Sequence, residues 1–144
     1  MTIIARRVFV ALATIATLAL GAVPAAQAQN ARHKVVFQVS DGDPQKWNLT
    51  LNNAKNVQDN LGVDKVDLEI VAYGPGIGML KMESQVANRI DAAVKAGVKI
   101  VACENTMAAM KLVRADMLPE IGYVPGGVVE LMTRQEQGWA YIRP

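Results

Sequence analysis

The sequence predicts an α/β fold of three layers, in which a mostly parallel sheet of five strands lies between helices. β-branched and apolar runs alternate along the chain with segments of helical periodicity, which is the pattern of a parallel α/β protein. These runs are mostly apolar on both faces, as in strands that helices cover on both sides. The segment over residues 29–144 is long enough for one domain with a substantial core.

The N-terminus has the features of a cleavable signal peptide. Arg6 and Arg7 precede an uncharged apolar run over residues 8–23, and Ala26 and Ala28 are small residues three and one positions before a cleavage site. The apolar run is shorter than the roughly 20 residues that a membrane-spanning helix needs. The predicted division is a signal peptide over residues 1–28 and one α/β domain over residues 29–144. We expect a periplasmic protein, exported by the Sec route or, given the paired arginines, by the Tat route.

Composition excludes several classes of partner. The signal peptide contains two of the fifteen basic residues, so thirteen basic and thirteen acidic residues follow it. A near-neutral chain with scattered Lys and Arg has no basic patch for nucleic acid, and we expect no membrane association after cleavage. Cys103 is the single cysteine and His33 the single histidine, so the sequence predicts neither an intramolecular disulfide nor a metal site, and no cofactor.

The first strand and helix have clear boundary signals. Residues 34–40 form a β-branched and aromatic run that ends in a turn. Asp43 is placed to cap a helix whose first residue is Pro44, and Gly62 ends it. Apolar residues recur through this helix at helical spacing, at Trp47, Leu51, Ala54 and Leu61.

The remaining elements continue the alternation. Two further strands are predicted at residues 66–73 and 98–103, with a helix between them that begins at Met79 or Ser84 and ends at Ala96. Asn105 is expected to cap a short helix that extends to Leu112. The last three predicted elements are a brief strand at residues 123–124, a helix at 127–136 and a strand at 139–143.

The carboxyl edge of the sheet is where a ligand or reactive group is expected. In open parallel sheets, ligands bind beyond the carboxyl ends of the strands, so the loops at residues 40–43, 74–78 and 103–105 should share one rim. Cys103 ends a strand and directly precedes a helix, whose N-terminus would stabilise a thiolate. Glu104 either faces solvent or opposes that thiolate, and a buried structural cysteine is the alternative interpretation.

Other patterns have both a functional and a structural interpretation. The glycines at 74, 76 and 78 let the backbone approach a ligand closely, but their spacing is that of a tight turn rather than of a dinucleotide-binding loop. Asn52 and Asn56 form either a solvated helix face or a polar contact surface. The remaining set is either core or a protein interface, and it consists of Met79, Leu80, Met82, Met107 and Met110.

Several motifs follow one another through nearly all of residues 29–144. They are Asp41-Gly42-Asp43-Pro44 with Trp47, Asn52-Asn53-Ala54 with Asn56, Tyr73-Gly74-Pro75-Gly76-Ile77, Cys103-Glu104-Asn105-Thr106-Met107, Val124-Pro125-Gly126-Gly127-Val128-Val129-Glu130 and Gln135-Glu136-Gln137-Gly138-Trp139-Ala140-Tyr141-Ile142. In this order they resemble the DsrE/DsrF-like sulfur-relay family, in particular its exported single-subunit branch. The resemblance is strongest in the segments around the cysteine and towards the C-terminus.

The resemblance implies a DsrEFH-like α/β fold, a homo-oligomer that is a trimer or hexamer, and a cysteine that carries sulfur as a persulfide. Cys103 matches that cysteine, and sulfur donor or acceptor proteins are the implied partners. The well-understood relay members are cytoplasmic and work with companion subunits, unlike an exported chain. The candidate pocket residues are Asp41, Asp43, Gly74, Pro75, Gly76, Glu104, Asn105 and Thr106.

Two functions compete on these observations. The first is a periplasmic sulfur carrier, or sulfur-relay component, that uses the Cys103 thiolate. The second is a module on the same fold that binds a small ligand or a protein without transfer chemistry, with the 74–78 loop and the Asn52/Asn56 face as pocket walls. The residues expected of a hydrolase or an oxidoreductase active site are absent in recognisable form. Fold alone does not choose between the two functions.

Overall fold

The computed structural model describes residues 32–144, and the predicted signal peptide lies outside them. Five strands form one sheet in which every pairing is parallel, in the order β4-β3-β2-β1-β5. The predicted α/β fold with a five-stranded parallel sheet is confirmed. The strands are β1 (His33–Val39), β2 (Val66–Ala72), β3 (Lys99–Cys103), β4 (Gly122–Val124) and β5 (Ala140–Ile142).

Within the described residues, four α-helices connect the strands. Asp43 caps the first of them, since its side chain accepts a 2.8 Å hydrogen bond from the Gln45 amide, and Pro44 occupies the first helical position. The helices are α1 (Pro44–Leu61), α2 (Ala87–Lys95), α3 (Glu104–Ala109) and α4 (Gly127–Glu136). Two 3₁₀ helices, at Gly74–Leu80 and Arg114–Asp116, lie in the longer connections.

The helices cover the two faces of the sheet unequally. Connections between parallel strands are right-handed, so the three connections that step from β1 to β4 put α1, α2 and α3 on one face. The last connection steps back across the sheet to β5 and puts α4 on the other. We call these the three-helix face and the α4 face. Buried side chains of the α4 face are Val36, Val71, Val101 and Val124, with Leu131 of α4 packed against them.

The edge strand β5 joins the sheet through few contacts. Three of its residues pair with β1, from Ala140 opposite Val35 to Ile142 opposite Phe37. The Tyr141 hydroxyl also donates a 2.6 Å hydrogen bond to the side-chain oxygen of Gln38 on β1. Within residues 32–144, the last strand thus lies against the first.

The largest differences from the predicted element boundaries lie in the second and third helices. The second helix begins neither at Met79 nor at Ser84 but at Ala87, because residues 74–80 already form a 3₁₀ helix with Pro75 in its first turn. The third helix begins at Glu104, with Cys103 rather than Asn105 as its cap residue. It ends at Ala109, before the predicted end, and Lys111 beyond it adopts a positive φ of 57°.

The apolar methionine set divides between core and surface. Met79, Leu80 and Met107 are buried in the three-helix face, so most of the set is core. Met82 and Met110 are exposed. Across residues 32–144, every helix is too short or too polar to cross a membrane.

Candidate functional site

Cys103 lies at the point where the sheet changes the direction of its connections. β3 and β4 are neighbours, but the chain leaves β3 for α3 on the three-helix face and leaves β4 for α4 on the other face. A crevice forms between such strands, and ligands of open α/β sheets bind there. Cys103 pairs with Val124, so each strand ends beside this crevice.

The thiol of Cys103 receives several hydrogen bonds that favour its ionised form. Burial of the thiol acts to raise its pKa, but donors from three residues outweigh this and hold the pKa of Cys103 below the ordinary value of 9.0. The strongest is the Thr106 hydroxyl, followed by the backbone N–H groups of Gly127, Thr106 and Asn105. The thiolate is therefore more populated near neutral pH than that of an ordinary cysteine.

The donors come from two helices that begin on opposite faces of the sheet. Asn105 and Thr106 lie in the first turn of α3, and Gly127 is the first residue of α4. The first N–H groups of a helix have no partner within the helix, so they are available to an anion. The Asn105 N–H also donates to the Pro125 carbonyl oxygen at 3.1 Å, so it is shared between that oxygen and the sulfur.

Thr106 connects the thiol to the Gly74–Leu80 helix. The Gly74 N–H donates to the Thr106 hydroxyl oxygen at 3.0 Å, which leaves the hydroxyl hydrogen to point at the sulfur of Cys103. Gly76 allows this helix to cross the end of β1, because a Cβ there would lie 2.3 Å from the Val39 carbonyl oxygen. Pro75 is exposed beside Gly42 and does not act on the thiol.

The loop after β1 lies on the same edge of the sheet but serves local structure. Asp41 forms ion pairs with Lys46 at 3.7 Å and Arg143 at 3.4 Å, and its carbonyl oxygen accepts a hydrogen bond from the Trp47 indole. Asp43 caps α1. Asp41 and Asp43 are candidate pocket residues from the sequence, but both follow β1, which β2 separates from β3.

Glu104 does not act on the thiol, although it is the next residue. Its carboxylate lies 2.9 Å from the Arg114 guanidinium, which in turn covers the Tyr123 ring at 4.3 Å from the ring centroid. The charge of Glu104 is thus paired on the three-helix side. Of the two alternatives from the sequence, the geometry favours a Glu104 carboxylate that is partly open to solvent over one that opposes the thiolate.

Gly127 is a further residue that donates to the Cys103 thiol, and the sequence did not single it out as part of the site. A Cβ on Gly127 would lie 3.0 Å from the Cβ of Tyr73, so a larger residue there would require α4 or Tyr73 to shift by a few tenths of an ångström. The signal was present in the adjacent Gly126-Gly127 pair before an apolar helical segment. This glycine pair indicated the start of a helix, but the spacing of residues along the chain did not show which strand end that helix faces.

The sulfur site is nearly closed to solvent. Cys103 is 5% exposed. Its side chain points to the α4 face, as does that of Val101 two residues earlier on β3, and Tyr73 after β2 packs on the same face. The cysteine therefore has features of both sequence-based interpretations. It is buried like a structural cysteine, yet its hydrogen bonds are those of a stabilised thiolate.

A second concave feature lies away from Cys103, between α1 and α2. It is a groove of about 290 Å³, and Arg89 at its rim donates to the side chains of Asn48 and Asn52, the latter at 2.7 Å. Asn52 thus serves a contact between helices, which explains part of the asparagine density of α1. The groove is lined by Leu51, Lys55, Gln58, Asp59, Val63, Arg89, Ala92, Ala93 and Ala96.

Comparison with known proteins identifies the same family as the motifs. The model of the DsrE/DsrF-like family matches residues 13–144. A protein of unknown function from Methanobacterium thermoautotrophicum has a structure that superposes with a TM-score of 0.74 at 33% identity, over 78% of this chain and 99% of that one. A conserved protein of unknown function from Bacteroides thetaiotaomicron shares the fold, with a TM-score of 0.63 at 17% identity over 81% and 97% of the two chains. No curated protein sequence matches the chain.

Proposed function

Because the chain belongs to the DsrE/DsrF-like family and has its sulfur-relay-type fold, we propose that it carries sulfur as a persulfide on Cys103. One observation carries this proposal. The thiol ends β3 at the crevice beside β4, where the Thr106 hydroxyl and the Gly127 N–H both donate to it. A persulfide carrier needs a thiol that ionises below the ordinary pKa, and this arrangement supplies one.

The transfer step requires only the thiolate and a donor of sulfane sulfur. With thiosulfate, the Cys103 thiolate attacks the outer sulfur, the S–S bond of the donor breaks, and sulfite leaves with the bonding electron pair. The product is the Cys103 persulfide anion, so charge and atoms balance without a further oxidant. The donors that stabilise the thiolate also stand beside the terminal sulfur anion of the product.

The small exposure of Cys103 favours a small donor. At 5% exposure the sulfur admits thiosulfate or a short polysulfide more readily than a bulky protein thiol. A protein donor or acceptor would need the α4 N-terminus or the Gly74–Leu80 helix to move. Small anionic donors are therefore the first to test.

Intact mass spectrometry after incubation with thiosulfate or polysulfide tests the proposal. We expect a gain of one sulfur atom that a thiol reductant reverses. Cys103→Ser is the control that should gain nothing, and it should keep the fold because serine has nearly the same size. A folded wild-type protein that gains no sulfur from either donor would overturn the proposal.

We also propose that the carrier works in the periplasm after export. The arginine pair, the uncharged run and the small residues before position 29 support this. N-terminal sequencing of the protein from its native host should begin at Gln29. A protein that keeps Met1 and stays in the cytoplasm would contradict export.

A closed homo-oligomer, a trimer or a hexamer, is a further part of the proposal. Its support in the structure is the exposed apolar surface of α4, where Val128, Val129 and Met132 are each more than half exposed. Symmetric assembly is a common way to cover such surface. Light scattering should give at least twice the monomer mass, and a clean monomer at micromolar concentration would refute assembly.

The second candidate function is a binding module on the same fold, and two observations favour it. Cys103 is nearly buried, and the groove between α1 and α2 offers an apolar floor with Lys55 and Arg89 at its rim. A thiol that resists alkylation until the protein is denatured would support this module over the carrier. Rapid alkylation of the folded protein, lost in Cys103→Ser, would support the carrier.

A further inference from the structure

A fully buried carboxylate lies on the α4 face, outside the sulfur site. Glu69 of β2 has no exposed surface, and charged residues are almost never buried this completely unless they are paired. Its two oxygens lie 3.0 Å from the Lys99 ammonium and 2.5 Å from Nε of Arg134. Lys99 is directly opposite Glu69 on β3, whereas Arg134 belongs to α4.

The same two cations reach a second carboxylate at the start of α4. Arg134 lies 2.9 Å and Lys99 3.7 Å from Glu130, and the Arg134 guanidinium covers the Trp139 ring at 4.8 Å from the ring centroid. Burial raises the pKa of Glu69, whereas the hydrogen bond and charge of Lys99 and the charge of Arg134 oppose that rise and Glu130 adds to it. The network therefore joins β2, β3, α4 and the residue before β5.

The energetic cost of this network indicates a role in geometry. A buried ion pair commonly contributes no more stability than well-packed apolar residues would, because desolvation offsets the attraction. What the ion pairs add is direction, since the fork of a guanidinium fixes the angle and distance of its partner. That matters for α4, which packs on a few small side chains through Leu131.

The network and the sulfur site both involve β3 and α4. Glu130 is in the first turn of α4, and its N–H donates to the Gly126 carbonyl oxygen at 2.9 Å, directly beside Gly127. Lys99 begins the strand that ends at Cys103, about 13 Å away along β3 at the usual rise of ~3.3 Å per residue. We propose that Glu69 and Arg134 are positioning residues, which hold α4 so that the Gly127 N–H donates to the Cys103 sulfur.

The proposal rests on the proposed function, since it concerns how the same thiol is activated. Neither Glu69 nor Arg134 contacts the sulfur or its donor in this role. Their effect is measured as the pKa of the thiol in the absence of any sulfur donor. The thiol pKa therefore tests the positioning of α4, whereas the gain of a sulfur atom tests sulfur transfer, and either can fail without the other.

The experiment compares the pH titration of the Cys103 thiolate, followed by its ultraviolet absorbance, in wild type and in Glu69→Gln. We expect the apparent pKa to rise by about half a unit or more, which corresponds to a roughly threefold lower thiolate fraction below the pKa. Asp91→Asn removes an exposed carboxylate paired with Lys95 on α2 and should leave the titration unchanged. Ile90→Ala, a destabilised core variant of the three-helix face, should also leave it unchanged.

Arg134→Lys provides a second test, and the only one needed if Glu69→Gln does not fold. It keeps a cation beside Glu69 but loses the fork that also holds Glu130, so the thiol pKa should rise here as well. An unchanged pKa in folded Arg134→Lys, or in folded Glu69→Gln, would overturn the proposal. A shifted pKa in a protein that accepts no sulfur from thiosulfate would support positioning and refute the carrier.

Discussion

The two faces of the sheet differ in how densely they are packed and in what they hold. Among residues 32–144, twenty-two buried apolar residues form the core of the three-helix face, and five form that of the α4 face. The Cys103 thiol and the buried Glu69 carboxylate both lie on the α4 face, which has the smaller apolar core. The difference indicates that one face supplies most of the stability and the other supplies the polar chemistry.

Where few apolar residues pack against a helix, hydrogen bonds and ion pairs can determine its position. Hydrophobic packing has no preferred direction and spreads over many contacts, whereas hydrogen bonds and ion pairs fix a few atoms closely. On the α4 face, the position of a single N–H group at the thiol depends on such contacts. Substitutions on the two faces should therefore separate stability from reactivity.

The largest stability loss is expected from the three-helix face. Ile90 on α2 is fully buried there, and Ile90→Ala should cost about 2–5 kcal/mol of unfolding free energy with no change in the thiol pKa. Urea unfolding and the thiolate titration measure the two quantities. Val128→Ala on the exposed side of α4 is the control, with an expected change within about 0.5 kcal/mol. A shifted thiol pKa in Ile90→Ala would remove the distinction between the faces.

A smaller loss of stability, together with a change in reactivity, is expected at the start of α4. In Gly127→Ala the new methyl group would meet the Cβ of Tyr73 at 3.0 Å, so α4 must shift, at a cost of about 1–3 kcal/mol. The shift moves the Gly127 N–H from the sulfur and should raise the thiol pKa. Gly126→Ala is matched to it, because its Cβ would meet Asn105 at an ordinary 3.5 Å. Equal effects of the two substitutions would contradict the assigned role of Gly127.

The hydroxyl beside the sulfur should affect reactivity more than stability. Thr106→Val keeps the shape of the side chain but removes the strongest donor to the thiol. We expect the thiol pKa to rise by about one unit, equivalent to ~1.4 kcal/mol, and alkylation near neutral pH to slow accordingly. Thr106→Ser keeps the hydroxyl and should behave like wild type. A Thr106→Val protein with an unchanged pKa would show that the backbone N–H groups suffice.

The smallest effect is a pH dependence of stability that comes from the thiol itself. Because the folded-state pKa of Cys103 lies below its ordinary value of 9.0, the folded protein releases the thiol proton more readily than the unfolded chain. This contribution is fully present above the unfolded-state pKa and is lost as the pH falls through the folded-state pKa. The stability of wild type relative to Cys103→Ser should therefore rise with pH over that window in urea unfolding. A difference that is constant or falls with pH would show that the thiol pKa is not lowered.

The sequence was a good guide to the elements and a weaker guide to their ends. Apolar and β-branched runs located all five strands, and a periodicity of 3.6 residues located the long helices, because burial against a common sheet leaves these patterns in the side chains. These patterns did not distinguish the 3₁₀ helix at Gly74–Leu80 from a loop, since glycine and proline give no periodic signal. The cap of α3 was misplaced by two residues because Asn105 is a common cap residue and Cys103 is not.

The site was only partly predictable for a topological reason. Cys103 and Thr106 are near in sequence, so a strand end followed by a helix start already brings these two residues close together. Gly127 reaches the thiol because β4 lies beside β3, and Glu69 reaches Arg134 because α4 crosses to the other face. Asp41 and Asp43 share the edge of the sheet but lie beyond β2. Spacing along the chain does not encode strand order, so these relations appear only in the fold.

The pairing of β5 with β1 has a consequence for the order in which the chain is assembled. Among the strands of residues 32–144, β1 is synthesised first and β5 last, and Tyr141 and Gln38 are separated by 103 positions along the chain. β1 can pair with β2 early, but its other edge has no partner in the sheet until β5 has been synthesised. An unpaired strand edge invites pairing with other chains, and contacts between distant segments form slowly. The nascent chain is therefore most exposed to misassociation along the free edge of β1, until the three residues of β5 cover that edge.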